Sequence, residues 1–134
     1  MKRCITALIL LGAVSLSLSC PSADLPPGAG SFFYHDVKSS PWRPVKVWYY
    51  RPASFKIDAA IVFVMHGMTR NAEGYREPWM PLADAHDFLV VAPQFTSSFY
   101  PGSRWYNLGN LTNTGGRLTD EDRWTFSIIE RLFD

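Results

Sequence analysis

Two unbroken apolar runs, Ile61–Val64 and Phe88–Ala92, stand out from the mixed polar and apolar positions around them. Runs that lose the alternation of a half-exposed strand fit strands covered on both faces of a parallel sheet. The segment between them has helical character interrupted by Pro78 and Pro81. Proline deep in a straight helix loses a hydrogen bond and clashes with the preceding turn. The pattern therefore predicts one turn over Ala72–Arg76, a break, and a second helix from Pro81 in its first turn to His86. Pro93 is expected to stop the second strand. Strand, helix and strand make a right-handed crossover, so Ala59–Phe95 is the expected core unit. Ligands in such sheets bind in the loops that leave the carboxyl ends of the strands, which directs attention to the turn starting at His66-Gly67.

The flanking patterns are different. Arg43–Arg51 alternates, with Val45, Val47 and Tyr49 on one side and Lys46, Trp48 and Tyr50 on the other. Both sides carry apolar bulk, so the strand is expected to be largely covered. Ser31–His35 is a shorter strand, and the two are expected to pair as an antiparallel edge on the sheet. Thr96–Leu118 is long for a connection, and connections of that length tend to be functional or mobile. Thr119 is placed to cap a helix whose first turn is acidic (Asp120, Glu121, Asp122). Trp124, Ile128, Ile129, Leu132 and Phe133 then follow at three- and four-residue spacing, which predicts one buried stripe.

Composition narrows the function classes. The chain has 134 residues, 47% hydrophobic and 15% aromatic, enough for one small domain. Lys plus Arg number 13 and Asp plus Glu 12, for a net charge of +1. Neither a basic stripe nor an aromatic–basic ladder points to nucleic acid. The three histidines are scattered with no metal-ligand spacing, and no cofactor motif is present.

The N-terminus reads as a targeting segment. Lys2 and Arg3 precede the apolar run Ile5–Val14, and Ser17-Leu18-Ser19 offers small residues for cleavage. The run is too short to span a bilayer, which takes about 20 residues. Residues 1–19 are thus expected to be a signal peptide, 20–30 a Pro- and Gly-rich linker, and 31–134 the folded domain. Ser17-Leu18-Ser19-Cys20 resembles the lipobox of bacterial lipoproteins, with Ser17 standing where leucine is usual. Lipidation at Cys20 and plain cleavage after Ser19 both stay open, so membrane contact is expected only through the signal peptide or a lipid on Cys20. Cys4 falls in the segment expected to be removed, leaving no internal disulfide.

Several motifs in order resemble the α/β-hydrolases, and among them the polyhydroxybutyrate-depolymerase and feruloyl-esterase-like branch. These are Val62-Phe63-Val64-Met65-His66-Gly67-Met68, then Leu82–His86 before Phe88–Val91, then Tyr106–Asn110 and Ile129–Asp134. The resemblance spans about residues 31–134. It implies a doubly wound, mostly parallel α/β sheet, of which this chain carries the N-terminal half, and a substrate that is a small or polymeric ester. It also implies a serine nucleophile in a G-x-S-x-G elbow, followed by an acid and a histidine. No G-x-S-x-G occurs in the sequence. The expectation is a chain that stops before the elbow, lacks the whole triad and is inactive by itself.

The resemblance assigns one oxyanion-hole donor to the backbone N–H of Met68. His66 and Gly67 shape that loop, and Gly67 allows a turn closed to side chains. The other reading is an ordinary strand-to-helix turn. Thr69, Arg70, Tyr100, Trp105 and Tyr106 are candidates to line the substrate cleft, with Phe95 and Phe99 beside them; the alternative is a loop packed down by its own rings. Asn71 is a candidate helix cap. His35 and His86 read as structural. Ser97 and Ser98 have no paired base and are not credible nucleophiles. A non-catalytic exported domain that binds a ligand on a hydrolase-like scaffold is the competing function. An Asp or Cys at the elbow would keep the fold and change the chemistry.

Overall fold

The computed structural model describes residues 25–39 and 42–133. Four strands form one mixed sheet: β1 (Gly28–Tyr34), β2 (Val45–Arg51), β3 (Ile61–Phe63) and β4 (Leu89–Gln94). Their spatial order is β1-β2-β4-β3. β1 pairs with β2 and β2 with β4 antiparallel, while β3 pairs with β4 in parallel. The crossover between β3 and β4 carries α1 (Ala72–Arg76), a 3-10 turn over Glu77–Trp79 and α2 (Met80–His86). Further along lie α3 (Gly102–Trp105), a 3-10 turn over Glu121–Arg123 and α4 (Ser127–Phe133).

β4 shows why an unbroken apolar run was needed. Leu89 and Val91 join a cluster with Val45, Val47, Phe55, Phe95, Tyr100, Tyr106 and Ile128. Val90 and Ala92 join a second cluster with Val64, Ala72 and Ala83. Successive side chains of a strand point to opposite faces. Helices α1 and α2 therefore cover one face of the sheet, and α4 with the long connection covers the other. This is a partial doubly wound α/β fold.

The expected break in the helical crossover is present. Asn71 caps α1, its side-chain oxygen accepting the Gly74 N–H at 3.0 Å. Pro81 lies in the first turn of α2, and Asp87 ends that helix in the left-handed region.

Three boundaries and one burial depart from the pattern-based reading. The expected linker 20–30 overlaps β1, because Gly28, Ala29 and Gly30 pair with Arg51, Tyr50 and Tyr49. Gly30 is required there: a Cβ would sit 2.3 Å from the Tyr49 hydroxyl oxygen. Pro93 does not stop β4, which continues to Gln94 opposite Lys46. On the other side the ladder to β3 ends at Val91, so the missing N–H of Pro93 leaves no strand unpaired there. Thr119 does not cap a helix. Its hydroxyl donates to the Asn110 carbonyl at 2.9 Å, and Trp124 is extended. Thr125 is tied back to Gly109 through its N–H and to Trp105 through its hydroxyl, which delays α4 until Ser127. Finally, Phe133 is 58% exposed, whereas Ile128, Ile129 and Leu132 pack on the core as the spacing predicts. Phe133 instead meets Phe63 edge-on, at a centroid separation of 6.5 Å, beside the edge strand β3.

Candidate functional site: the turn after the third strand

The turn leaving β3 begins at His66, which is buried. Its Nε2 lies 3.0 Å from the Phe95 backbone nitrogen. A backbone N–H can only donate, so Nε2 is the unprotonated acceptor. The hydrogen then sits on Nδ1, which donates to the Gly67 carbonyl at 2.9 Å. Burial is the main cause that holds the imidazole below its ordinary pKa, and the nearby Arg70 charge acts the same way. His66 is a neutral imidazole with both nitrogens engaged, and it is not free to shuttle a proton.

The Gly67 carbonyl has a second donor, the Arg70 N–H at 3.1 Å, which closes a four-residue turn. Two bonds thus fix one carbonyl. The peptide unit is planar and trans, so its C=O and the N–H of the next residue point in opposite directions. Fixing the Gly67 carbonyl inward therefore fixes the Met68 N–H outward. That N–H meets no acceptor among the described residues. The Met68 side chain is exposed. A Cβ on Gly67 would stand 2.6 Å from the Tyr75 hydroxyl oxygen, so a side chain there would collide with the ring that borders the turn.

Arg70 locks the far end of the turn. It has φ of 59°, a region that costs a residue with a side chain roughly 1–2 kcal/mol. Its guanidinium is buried and donates to three carbonyls: Phe95 at 2.8 Å, Gly102 at 3.1 Å and Tyr100 at 3.3 Å. It also lies 4.3 Å from the Tyr106 ring centroid. Its backbone carbonyl accepts from Gln94 Nε2 at 2.8 Å, and Gln94 Oε1 accepts from Trp48 Nε1 at 2.9 Å. One chain of hydrogen bonds thus runs from β2 through β4 to the turn and on to the long connection.

The other candidate residues are distributed as follows. Tyr106 stacks on His66 with centroids 4.3 Å apart and donates its hydroxyl to the His66 carbonyl. Tyr100 packs edge-on against Phe95 and donates to the Arg43 carbonyl at 2.9 Å. Burial pushes the Tyr100 hydroxyl up to about 12. Both tyrosines are buried, and Arg70 faces inward, so these three brace the loop from within. Thr69 is exposed beside Met68. Trp105 lies under the Arg43 guanidinium, 3.9 Å from its ring centroid, in a separate cavity. Cys20 and the segment 1–19 lie outside the described residues. Among the described residues no group of three His, Cys, Asp or Glu could hold a metal ion, and no helix is long and apolar enough to cross a membrane.

Gln94 and Tyr75 were not legible as site residues. A glutamine closing an apolar strand was the available signal for the first. Tyr75 gave none, because its contact with Gly67 depends on how α1 folds back on the turn.

No protein-family model matches the sequence. Over 76 residues the chain is 32% identical to the acetylxylan esterase A of Aspergillus oryzae and to a probable acetylxylan esterase A of Aspergillus flavus. The match takes in 54% of this chain and 24% of each relative. Among solved structures it resembles a poly(3-hydroxybutyrate) depolymerase from Bordetella parapertussis, with a TM-score of 0.73 and 34% identity over 80% of this chain and 36% of that one. A poly(aspartic acid) hydrolase from Sphingomonas sp. KT-1 superposes with a TM-score of 0.69 and 36% identity, over 78% of this chain and 39% of that one. The chain thus spans about a quarter of the length of the curated relatives and less than two fifths of the solved ones. Motif order, sheet topology and these likenesses together put the chain in the α/β-hydrolase superfamily, over the part of the fold that it spans, where it is similar to these esterases and depolymerases.

Proposed function

We propose that this chain forms the early strands and one arm of the oxyanion hole of an exported carboxylic-ester hydrolase that works through an acyl-enzyme. The observation that carries this reading is the doubly held Gly67 carbonyl, which aims an unengaged Met68 N–H away from the fold. Attack on an ester carbonyl places negative charge on its oxygen. A donor already aligned stabilises that charge more in the transition state than in the substrate, with no reorganisation during the reaction. His66, Arg70 and Tyr106 are positioning residues that hold the donor. The nucleophile, acid and base belong to sequence outside these residues, since no G-x-S-x-G occurs within them. The 134 residues alone should turn over no p-nitrophenyl acetate. Esters, small or polymeric, are the substrate class that the named relatives support. Export through residues 1–19, with or without a lipid on Cys20, completes the reading; palmitate labelling lost in Cys20→Ser would establish the lipid.

The decisive experiment is Met68→Pro in the protein that includes the nucleophile elbow. Met68 is the second residue of the turn closed by Arg70 and Gly67, where proline's fixed φ is favoured. The substitution removes the N–H with little effect on folding. Loss of one oxyanion donor lowers kcat on the order of 10²–10³-fold. A Met68→Pro enzyme with the parent's kcat would refute the assignment.

A further inference from the structure

The long connection builds a second cavity, separate from the turn described above and rich in positive charge. Its volume is about 380 Å³, and Lys38, Arg43, Arg104 and Arg123 line it with no carboxylate among the lining residues. None of these four forms an ion pair among the described residues. Their sequence positions span 85 residues (from 38 to 123), so the tertiary fold gathered them.

The gathering is done by specific bonds. Asn110 is 4% exposed and takes a left-handed backbone conformation with φ of 54°. Its N–H donates to the Arg104 carbonyl at 2.8 Å, and its Nδ2 donates to the Arg123 carbonyl at 3.0 Å. One buried residue, through its backbone N–H and its side-chain amide, therefore tethers the backbones of two of the cationic residues to each other. Its Oδ1 has no hydrogen-bond partner among the described residues, and as an acceptor it can pair only with a protonated oxygen of a ligand, such as the hydroxyl of hydrogen phosphate. The Arg43 and Arg104 guanidiniums are both gathered on Trp105, at 3.9 Å and 5.5 Å from its ring centroid. Trp105 is in turn held by Thr125, whose hydroxyl donates to its carbonyl at 2.6 Å. The Arg43 and Arg104 guanidiniums are thus preordered, Arg104 also by its Nε bond to the Thr112 carbonyl at 3.2 Å, while the Arg123 and Lys38 side chains are exposed.

Like charges drawn together repel, and an anion removes that repulsion; the nearest acidic cluster, Asp120, Glu121, Asp122 and Glu130, lines a neighbouring cavity that shares Lys38 and leaves the Arg43 and Arg104 side uncompensated. Guanidinium forks present paired N–H donors that match the spacing of oxygens in a carboxylate or phosphate. We infer that this cavity is a binding site for a small multivalent oxyanion, a polycarboxylate or a phosphate, held by Arg43, Arg104 and Arg123 with Lys38 at the rim. The site is independent of the esterase reading, and its test measures binding without any hydrolysis.

The test is calorimetric titration of the full chain with citrate and, in a second arm, with inorganic phosphate, both at ionic strength held constant with sodium chloride. The expected result is saturable one-to-one binding of at least one anion, and the tighter arm identifies the class. Arg104→Gln and Arg43→Gln should each weaken Kd by tenfold or more. Arg123→Gln, at an exposed residue whose side chain makes no hydrogen bond, leaves the loop intact and should weaken Kd severalfold. Lys46→Gln, on the strand surface over Trp48, should leave Kd unchanged. Heat that vanishes at constant ionic strength, or a Kd indifferent to Arg104→Gln and Arg123→Gln in folded protein, would overturn the site.

Discussion

His66 reaches across its own peptide to hold the carbonyl of Gly67, with Nδ1 and the carbonyl oxygen 2.9 Å apart. This contact is local, but its meaning is not. The ring can donate from Nδ1 only because its Nε2 accepts the Phe95 N–H arriving from the end of β4. The crossover between β3 and β4 thus sets the tautomer of His66, and the tautomer joins the Arg70 N–H in setting the direction of the Met68 N–H.

The first prediction concerns pH. Protonating Nε2 would set two donors against each other, and burial penalises the charge as well. The folded pKa of His66 lies below its ordinary value, so the unfolded chain binds the proton more readily. Stability from this group is complete above about pH 6.5 and is lost as pH falls towards the lowered folded value. His66→Gln should remove this part of the slope in urea melts recorded between pH 7 and 5. His66→Ala should cost about 1–3 kcal/mol, since it leaves the Phe95 N–H without its acceptor. An unchanged slope in His66→Gln would show that another group titrates.

Arg70 is the second lever. Methionine at this position keeps much of the buried length but removes the donors to Phe95, Tyr100 and Gly102. Three carbonyls then lose a partner, and a loss of about 2–3 kcal/mol is expected, with Arg70→Lys falling between methionine and the parent. Amide exchange should quicken over residues 95–106 before the rest of the sheet. Uniform destabilisation with no local change in exchange would contradict this bracing role.

Gly67 and Tyr75 should be coupled. Gly67→Ala places a methyl against the Tyr75 hydroxyl, and the turn or the ring must shift. Overpacking of this kind costs about 1–3 kcal/mol. Tyr75→Phe removes the offending oxygen, so the double variant should recover most of the loss. A double-mutant cycle with no coupling energy would mean that the ring moves aside freely.

Acid should expose a separate weak point. Asp36 is 2% exposed and takes two bonds from Arg131, at 2.8 Å and 2.7 Å, which join the turn after β1 to α4. Burial alone would raise the Asp36 carboxyl; the bonds from Arg131 and Ser39 outweigh it and hold the carboxyl below the usual range. This contribution is present above the unfolded pKa near 4 and is lost as pH falls through the lowered folded value. Asp36→Asn should remove that acid transition. Breaking one partner of a buried pair typically costs about 3–5 kcal/mol, read here from the shift in urea midpoint at pH 7. A variant that melts like the parent at pH 7 would rule out a structural role for the pair.

The sequence alone determined the central crossover. Unbroken apolar runs at 61–64 and 88–92 read as strands, though only the second is covered on both faces, since β3 lies half-exposed at the edge; two prolines divide the helix between them at the places found. Asn71 as a cap and the alternation of β2 were legible for the same reason: each depends on neighbours within a few residues. The tertiary structure decided the rest. Gly28–Gly30 looked like tether until β2 supplied hydrogen bonds and Tyr49 supplied a ring to cover Gly30. Thr119 had the chemistry of a cap but found the Asn110 carbonyl first. Tyr100 and Tyr106 could have faced a ligand or the core, and Phe95, Arg70 and His66 drew them inward. The orientation of Met68 was beyond full local reading as well, because one of the two bonds that fix it comes from a histidine whose tautomer is set by a residue 29 positions away. Composition and spacing record what a residue can do; which partner it meets is settled only when distant segments pack.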